Sequence, residues 1–189
     1  MPRPKLHSDD TILAAAQKVL LVRGPSSFTL SDVAREVGIS RAALIQRFTD
    51  KATLHLKVME RSTREVRDYF ADASPETGLA ALWTLLKDLI DGMGAGEGFA
   101  GYLLLEWSDV VDERLNALAR ERNALVRAAI RDRLPDVPRD PDNAASLIQS
   151  AIQGATMQWL IDKQGALNIF VIDHTRRMLE ILYPDHPFD

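Results

Sequence analysis

Apolar residues recur at intervals of three and four along almost the whole of this 189-residue chain, and no segment alternates apolar and polar residues for long between turn clusters. That pattern predicts an all-α protein. Ser8 or Asp9 caps the first helix, Ile12, Ala15, Ala16, Val19 and Leu20 form its buried face, and Gly24-Pro25 stops it. Helices are expected over 30–37, 41–48 and 51–72, the last with Leu54, Val58, Val66 and Tyr69 or Phe70 on one side. Ser74-Pro75 predicts an N-cap and first turn for a helix over 75–92 lined by Leu79, Leu82, Trp83, Leu86 and Ile90. The glycine-rich run 92–98 must break that helix, because each interior glycine costs ~1 kcal/mol relative to alanine, and it reads as a mobile connector. Helices over 99–111, 113–134, 140–163 and 167–183 complete the chain, with a break at 135–139.

A hydrophobic fraction of 46% with 26% charged residues fits a chain that folds around a core. Cysteine is absent, which excludes disulfides, thiolate zinc sites and cysteine nucleophiles. No apolar run has the form of a signal peptide, and the longest nearly uncharged stretch, 98–105, falls far short of the ~20 residues of a spanning helix, so a cytoplasmic protein without membrane contact is expected. The net charge of −4 hides an asymmetry. Residues 1–54 carry eight Lys/Arg against five acids (+3), and the remainder carries 15 against 22 (−7). A basic end on an acidic chain points to a polyanionic partner.

Function concentrates between Thr29 and Lys51. Thr29-Leu30-Ser31-Asp32 has the capping-box pattern, Leu30, Val33, Ala34 and Val37 form one stripe, and Gly38 can take the left-handed conformation that turns the chain. Ser40 can cap a second short helix in which only Leu44 and Phe48 need burial. Its remaining face offers Arg41, Ala42, Ile45, Gln46 and Arg47: two cations, an amide that can pair with adenine, and small or apolar groups suited to thymine methyls. Such a helix fits the major groove, and Lys51, at the start of the next helix, can meet a phosphate.

The run Thr29-x-x-x-Val33-Ala34-x-x-Val37-Gly38-Ile39-Ser40-Arg41-x-x-Leu44-x-x-x-Phe48-x-x-Lys51-x-x-Leu54 resembles the DNA-binding signature of the tetracycline-repressor (TetR) family. The resemblance covers the first helix and this run. It implies an N-terminal three-helix helix-turn-helix domain, residues 1–52, followed by a larger helical ligand-binding and dimerisation domain, residues 53–189. It implies phosphate contacts at Thr29 and Lys51 and a groove face at Ser40, Arg41, Ala42, Ile45, Gln46 and Arg47. Three positions depart from the family pattern: Ala42 replaces the usual glycine, Ile45 the usual tyrosine and Arg47 the usual histidine. The tyrosine's phosphate contact is thereby lost, and the operator sequence does not carry over from a relative. The short segment with Arg3 and Lys5 is similar to family arms that reach DNA.

The helices at 140–163 and 167–183 have apolar sets too large for one side, and Gly154 would allow close helix approach, so these two are the expected homodimer interface. A two-fold dimer matches a palindromic operator on double-stranded DNA. A small-molecule effector pocket is expected among Trp83, Leu86, Met93, Tyr102, Leu105, Glu106, Trp107, Gln153 and Met157, where Glu106 and Gln153 supply polarity within apolar surroundings. The reading is a ligand-responsive transcriptional repressor without catalytic residues, metal or cofactor. Two alternatives stay open: a helical protein-interaction adaptor, and a small-molecule-processing enzyme lacking a recognisable motif. The histidines, His7, His55, His174 and His186, are scattered, and the run 92–98 does not match a dinucleotide-binding loop.

Overall fold

The computed structural model describes residues 7–136 and 140–189. Among these residues the chain forms nine helices and no strand: α1 (Asp9–Ser27), α2 (Leu30–Val37), α3 (Arg41–Phe48), α4 (Lys51–Asp72), α5 (Leu79–Asp91), α6 (Phe99–Val111), α7 (Glu113–Arg131), α8 (Pro141–Asp162) and α9 (Leu167–Leu182). Ser8 caps α1, its hydroxyl accepting from the Thr11 amide. Gly24 leaves the helical region at φ 75°, ψ 159°, so the predicted stop at Gly24-Pro25 is a kink followed by a final turn to Ser27. Asp140 caps α8, with Pro141 in its first turn.

Two compact units are present. The first comprises the chain up to Asp68 together with Ala100–Arg122. Its core joins Ile12, Ala16 and Leu20 of α1, Leu30, Val33 and Ala34 of α2, Leu44 and Phe48 of α3, Leu54, Val58 and Met59 of α4, Leu105 of α6 and Leu115 of α7. Gly101 lets α6 join this unit: a Cβ at that position would lie 1.6 Å from the Leu21 carbonyl oxygen, so the backbone of α6 rests directly on α1. Any side chain there would drive the two helices apart.

Charge is buried in the same unit. The Arg122 guanidinium bonds Asp109 Oδ2 at 2.5 Å, the Thr63 hydroxyl at 3.0 Å and Glu106 at 3.4 Å, tying α7 to α6 and α4. Two carboxylates share one cation, and Asp109 Oδ1 is buried without a hydrogen-bond partner.

The second unit comprises Tyr69–Phe99 and Asn123–Asp189. In it α8 packs on α9 and α9 on α5. Two expectations fail here. Helix α5 begins at Leu79, not in the Ser74-Pro75 turn. Residues 74–78 are instead fastened to the end of α7, Arg133 donating to the Ser74 carbonyl and the Gly78 amide to the Arg133 carbonyl. The connector 92–98 is pinned rather than mobile. Amides of Leu167 and Asn168 donate to the carbonyls of Ala95 and Gly94, and Gly96, at φ 97°, lies so close to the Trp159 ring that a Cβ would sit 2.2 Å from it. These glycines serve close approach and positive φ.

The Asp109 cluster has a titration signature. Burial pushes its carboxyl up to about 6; Arg122 pulls it down, while Glu106 and Asp112 push it further up. Because the folded protein holds this proton more tightly than the unfolded chain, the associated stability is present below the ordinary carboxylate range and lost as pH rises through about 6. Denaturant unfolding of wild type and Asp109→Asn between pH 4 and 7 is expected to show a decline of about 2 kcal/mol in wild type that the variant lacks. Parallel profiles would contradict the assignment.

Candidate nucleic-acid interface

Local hydrogen bonds set the angle between α2 and α3. At the start of α2 the Asp32 amide donates to the Thr29 hydroxyl at 3.2 Å, and the Thr29 amide returns a bond to Asp32 Oδ2 at 3.1 Å, completing the capping box. The Thr29 hydroxyl also donates to Asp32 Oδ2 at 2.7 Å, and this bond is the first cause holding the Asp32 carboxyl below the ordinary range. At the other end Gly38 is left-handed, φ 78°, ψ 31°, and the amides of Gly38 and Ile39 both donate to the Ala34 carbonyl. Ile39 packs against the core from within the turn. The Ser40 hydroxyl then accepts from the Ala43 amide and starts α3.

Helix α3 sinks Leu44 and Phe48 into the core, 0% and 6% exposed. At about 100° per residue Ala42 and Gln46 fall opposite that stripe, with Ile45 and Arg47 on its flanks. Ser40, Arg41, Ala42 and Gln46 are exposed. Ile45 is half-buried and packs against the core. Neighbouring cations are engaged: Lys18 with Glu36, and both Arg23 and Arg35 with Asp32. Arg41 makes no ion pair with a described residue, so its charge faces outward from the start of α3.

Arg47 differs from Arg41. Its side chain is 20% exposed, and Nη1 donates to the His7 carbonyl at 2.7 Å and lies 3.4 Å from Asp9 Oδ1. Lys51, at the start of α4, donates to the Ser26 carbonyl at 2.9 Å, with Nζ 4.6 Å from the centre of the Phe28 ring. Asp50 caps α4, its carboxylate accepting from the Thr53 amide at 2.7 Å, the first cause of its lowered pKa. Sequence spacing held no trace of the His7 and Ser26 carbonyls as partners, since both pairings join residues far apart in the chain. Arg3 and Lys5 lie outside the described residues.

The turn between α3 and α4 is strained. Thr49 sits at φ 63°, ψ −62°, and the Asp50 amide donates across it to the Phe48 carbonyl at 2.6 Å, a γ-turn of the rare hand on a β-branched residue.

The nine candidate effector residues divide between the units. Trp83, Leu86, Met93, Gln153 and Met157 belong to the second unit, and Tyr102, Leu105, Glu106 and Trp107 to the first. Leu86 and Leu105 are core residues, whereas Trp107 is 73% and Met157 50% exposed. Glu106 is spoken for by Arg122, and Gln153 reaches Asn123 Oδ1 at 3.4 Å. A cleft of about 480 Å³ lies within the second unit. Of the nine it takes only Trp83, with Lys87, Phe170, Ile172, Arg176 and Phe188 among its other walls. Trp83 Nε1 donates there to the Asp189 carbonyl at 2.8 Å.

This arrangement, two short helices across a glycine turn with the second presenting a polar outer face, defines a helix-turn-helix DNA-binding regulator. Residues 12–58 match the family model described as bacterial regulatory proteins, tetR family. Among curated proteins none matches the chain in sequence. Solved structures share its fold. A tetR-family transcriptional regulator from Streptomyces coelicolor aligns with TM-score 0.73 at 17% identity over 94% of this chain and 81% of that one. A TetR transcription regulator from Haloarcula marismortui gives 0.71 at 19% identity over 89% and 93%. A transcriptional regulator from Saccharomonospora viridis in complex with choline gives 0.69 at 20% identity over 93% and 94%. Residues 12–58 thus match the tetR-family model, and the fold around them is the one these solved regulators share. Among the described residues no helix is long and apolar enough to cross a membrane.

Glycine at position 49 would relieve the γ-turn strain. Thermal unfolding of Thr49→Gly is expected to show a gain of about 1 kcal/mol over wild type. A lower midpoint would mean that the threonine side chain contributes more than its backbone costs.

Proposed function

We propose that the chain is a ligand-responsive repressor that binds a palindromic operator as a homodimer and is released by a small-molecule effector. The observation that carries the DNA-reading part is the burial pattern of α3, whose two anchors are sunk in the core while Ser40, Arg41, Ala42 and Gln46 face solvent. In this reading Arg41 and Gln46 meet base edges, Ala42 allows close approach to the groove, and Thr29 and Lys51 hold phosphates on either side. DNA reading belongs to residues 1–52, effector binding and pairing to 53–189.

Pairing is assigned to α8 and α9. Leu147, Met157, Ile161, Ile169 and Ile181 are 50–81% exposed on these helices, large apolar side chains that pairing would cover. Gly154 is exposed, and a Cβ there would touch nothing within the protomer, so a partner helix could approach closely at that point. Two-fold pairing suits half-sites ~34–36 Å apart, and an effector that alters the spacing of the reading heads would release them. A small organic effector is in keeping with the choline complex of the Saccharomonospora viridis regulator.

Selection of bound fragments from a random duplex pool tests the reading and returns the operator. Against the selected duplex, Arg41→Ala is expected to cost about 1–3 kcal/mol and to relax base choice at one position. Lys51→Ala is expected to weaken all duplexes alike and to lower the salt slope by about 1. Failure to retain any duplex at low ionic strength would favour the adaptor reading. For pairing, Ile161→Glu with Ile181→Glu is expected to halve the mass seen by light scattering at micromolar concentration while far-ultraviolet circular dichroism stays unchanged. A wild-type monomer under those conditions would contradict the assignment.

A further inference from the structure

The cleft in the second unit lies between α5 and α9, and its volume of about 480 Å³ falls within the ~300–1,000 Å³ usual for small-molecule sites. Its aromatic walls are held in place. Trp83, 5% exposed, donates from Nε1 to the Asp189 main-chain oxygen at 2.8 Å and meets the Phe188 ring edge-on, with centres 6.0 Å apart. Phe170 stacks on His174 at 4.0 Å, and the Gly165 carbonyl in the turn before α9 accepts from Trp159 Nε1 at 3.1 Å. Rings fixed before a ligand arrives lose little freedom when one binds.

The charge of the cleft favours an anion. Lys87 Nζ donates to the Asp189 main-chain oxygen at 2.8 Å and lies 5.2 Å from the centre of the Trp83 ring, and among the described residues no side-chain carboxylate pairs with it. An ammonium carries three donors, so further bonds are open to it. Asp173, the acid on the α9 wall, is already held by both Arg176 and Arg177. A cationic ligand would meet Lys87 already over the indole and find Asp173 neutralised. An anionic one would find an ammonium donor beside aromatic surface.

We infer that this cleft, rather than the surroundings of Tyr102 and Trp107, is the effector site, and that it takes a small aromatic carboxylate with its ring against Trp83, Phe170 and Phe188 and its carboxylate on Lys87. The inference rests on the reading of the chain as ligand-responsive. Ile169 links the cleft to the regulation: 63% exposed, it belongs both to the cleft wall and to the surface assigned to pairing. An occupant therefore touches the contact that, in this reading, sets the spacing of the two heads.

The test titrates the full chain with benzoate, phenylacetate and hydrocinnamate, and with hydrocinnamyl alcohol and choline as controls. Binding is followed by calorimetry and by the indole N–H resonances of the tryptophans, assigned from Trp83→Phe and Trp107→Phe. At least one acid is expected to bind at or below millimolar concentration, to move the Trp83 resonance and to leave that of Trp107, in the first unit, unmoved. Lys87→Met keeps the stem and loses the charge. It is expected to bind that acid about tenfold more weakly and the alcohol no differently, and Lys87→Arg to recover part of the loss. Circular dichroism melts check that each variant folds, and Lys87→Gln takes the place of Lys87→Met should that variant not fold. The same acid is expected to weaken binding of the pool-selected duplex by wild type and, at equal concentration, not by Lys87→Met. Absence of acid binding at millimolar concentration, choline bound in preference, unchanged acid affinity in Lys87→Met, or movement of Trp107 in place of Trp83 would each overturn the inference. An acid that binds through Lys87 and leaves duplex affinity unchanged defeats the release reading instead, with the ligand class of the cleft intact.

Discussion

The insertion of Leu44 and Phe48 into the first unit's core is the constraint on which the proposed reading surface depends. Two residues, four apart on a helix of eight, fix its rotation, because any roll that brought Gln46 inward would expose both anchors and bury an amide without a partner. Everything outward on α3 is outward by default. The capping box at Thr29 and the left-handed Gly38 then set where that helix begins, and the γ-turn at Thr49 sets where Lys51 emerges. The orientation of α3 is thus specified mostly by backbone hydrogen bonds and two apolar side chains.

Charge follows a similar division. The chain is acidic overall, and in the first unit most cations near α1 and α2 are paired with acids close by, Lys18 with Glu36, Arg23 and Arg35 with Asp32. Exposed pairs of this kind add little stability. What they do is subdue the local field, so that Arg41 stands out as a charge with no described acid to satisfy it. Deeper in the same unit the balance reverses: Arg122 serves two carboxylates and leaves one Asp109 oxygen unpartnered. That cluster links α4, α6 and α7 at the cost of a carboxyl held far from its ordinary titration range.

The helices were legible in the sequence because caps and apolar periodicity are local. Ser8, Thr29, Ser40, Asp50 and Asp140 cap where their side-chain chemistry says they should, and bounds such as 30–37 and 41–48 coincide with the structure. Long-range partners were not legible. Nothing near Arg47 indicates that it meets His7 and Asp9, nothing near Gly101 that α1 lies against it, and nothing in the run 92–98 that its carbonyls receive the start of α9. The late start of α5 has the same origin, since Arg133, distant in the chain, captures the Ser74 carbonyl. For the proposed site, the exposed residues of α3 were readable from helical spacing, while the packing of Ile45 on the core and the bonds of Arg47 and Lys51 to the His7 and Ser26 carbonyls were not.

The central claim, that the outer face of α3 is the surface that meets duplex, is tested most directly by following backbone amide resonances during titration with operator duplex at low ionic strength. The account predicts that the largest shifts cluster at residues 40–47, with a second group around Thr29 and Lys51. Shifts centred on α9 or scattered across the second unit, with α3 unmoved, would contradict it.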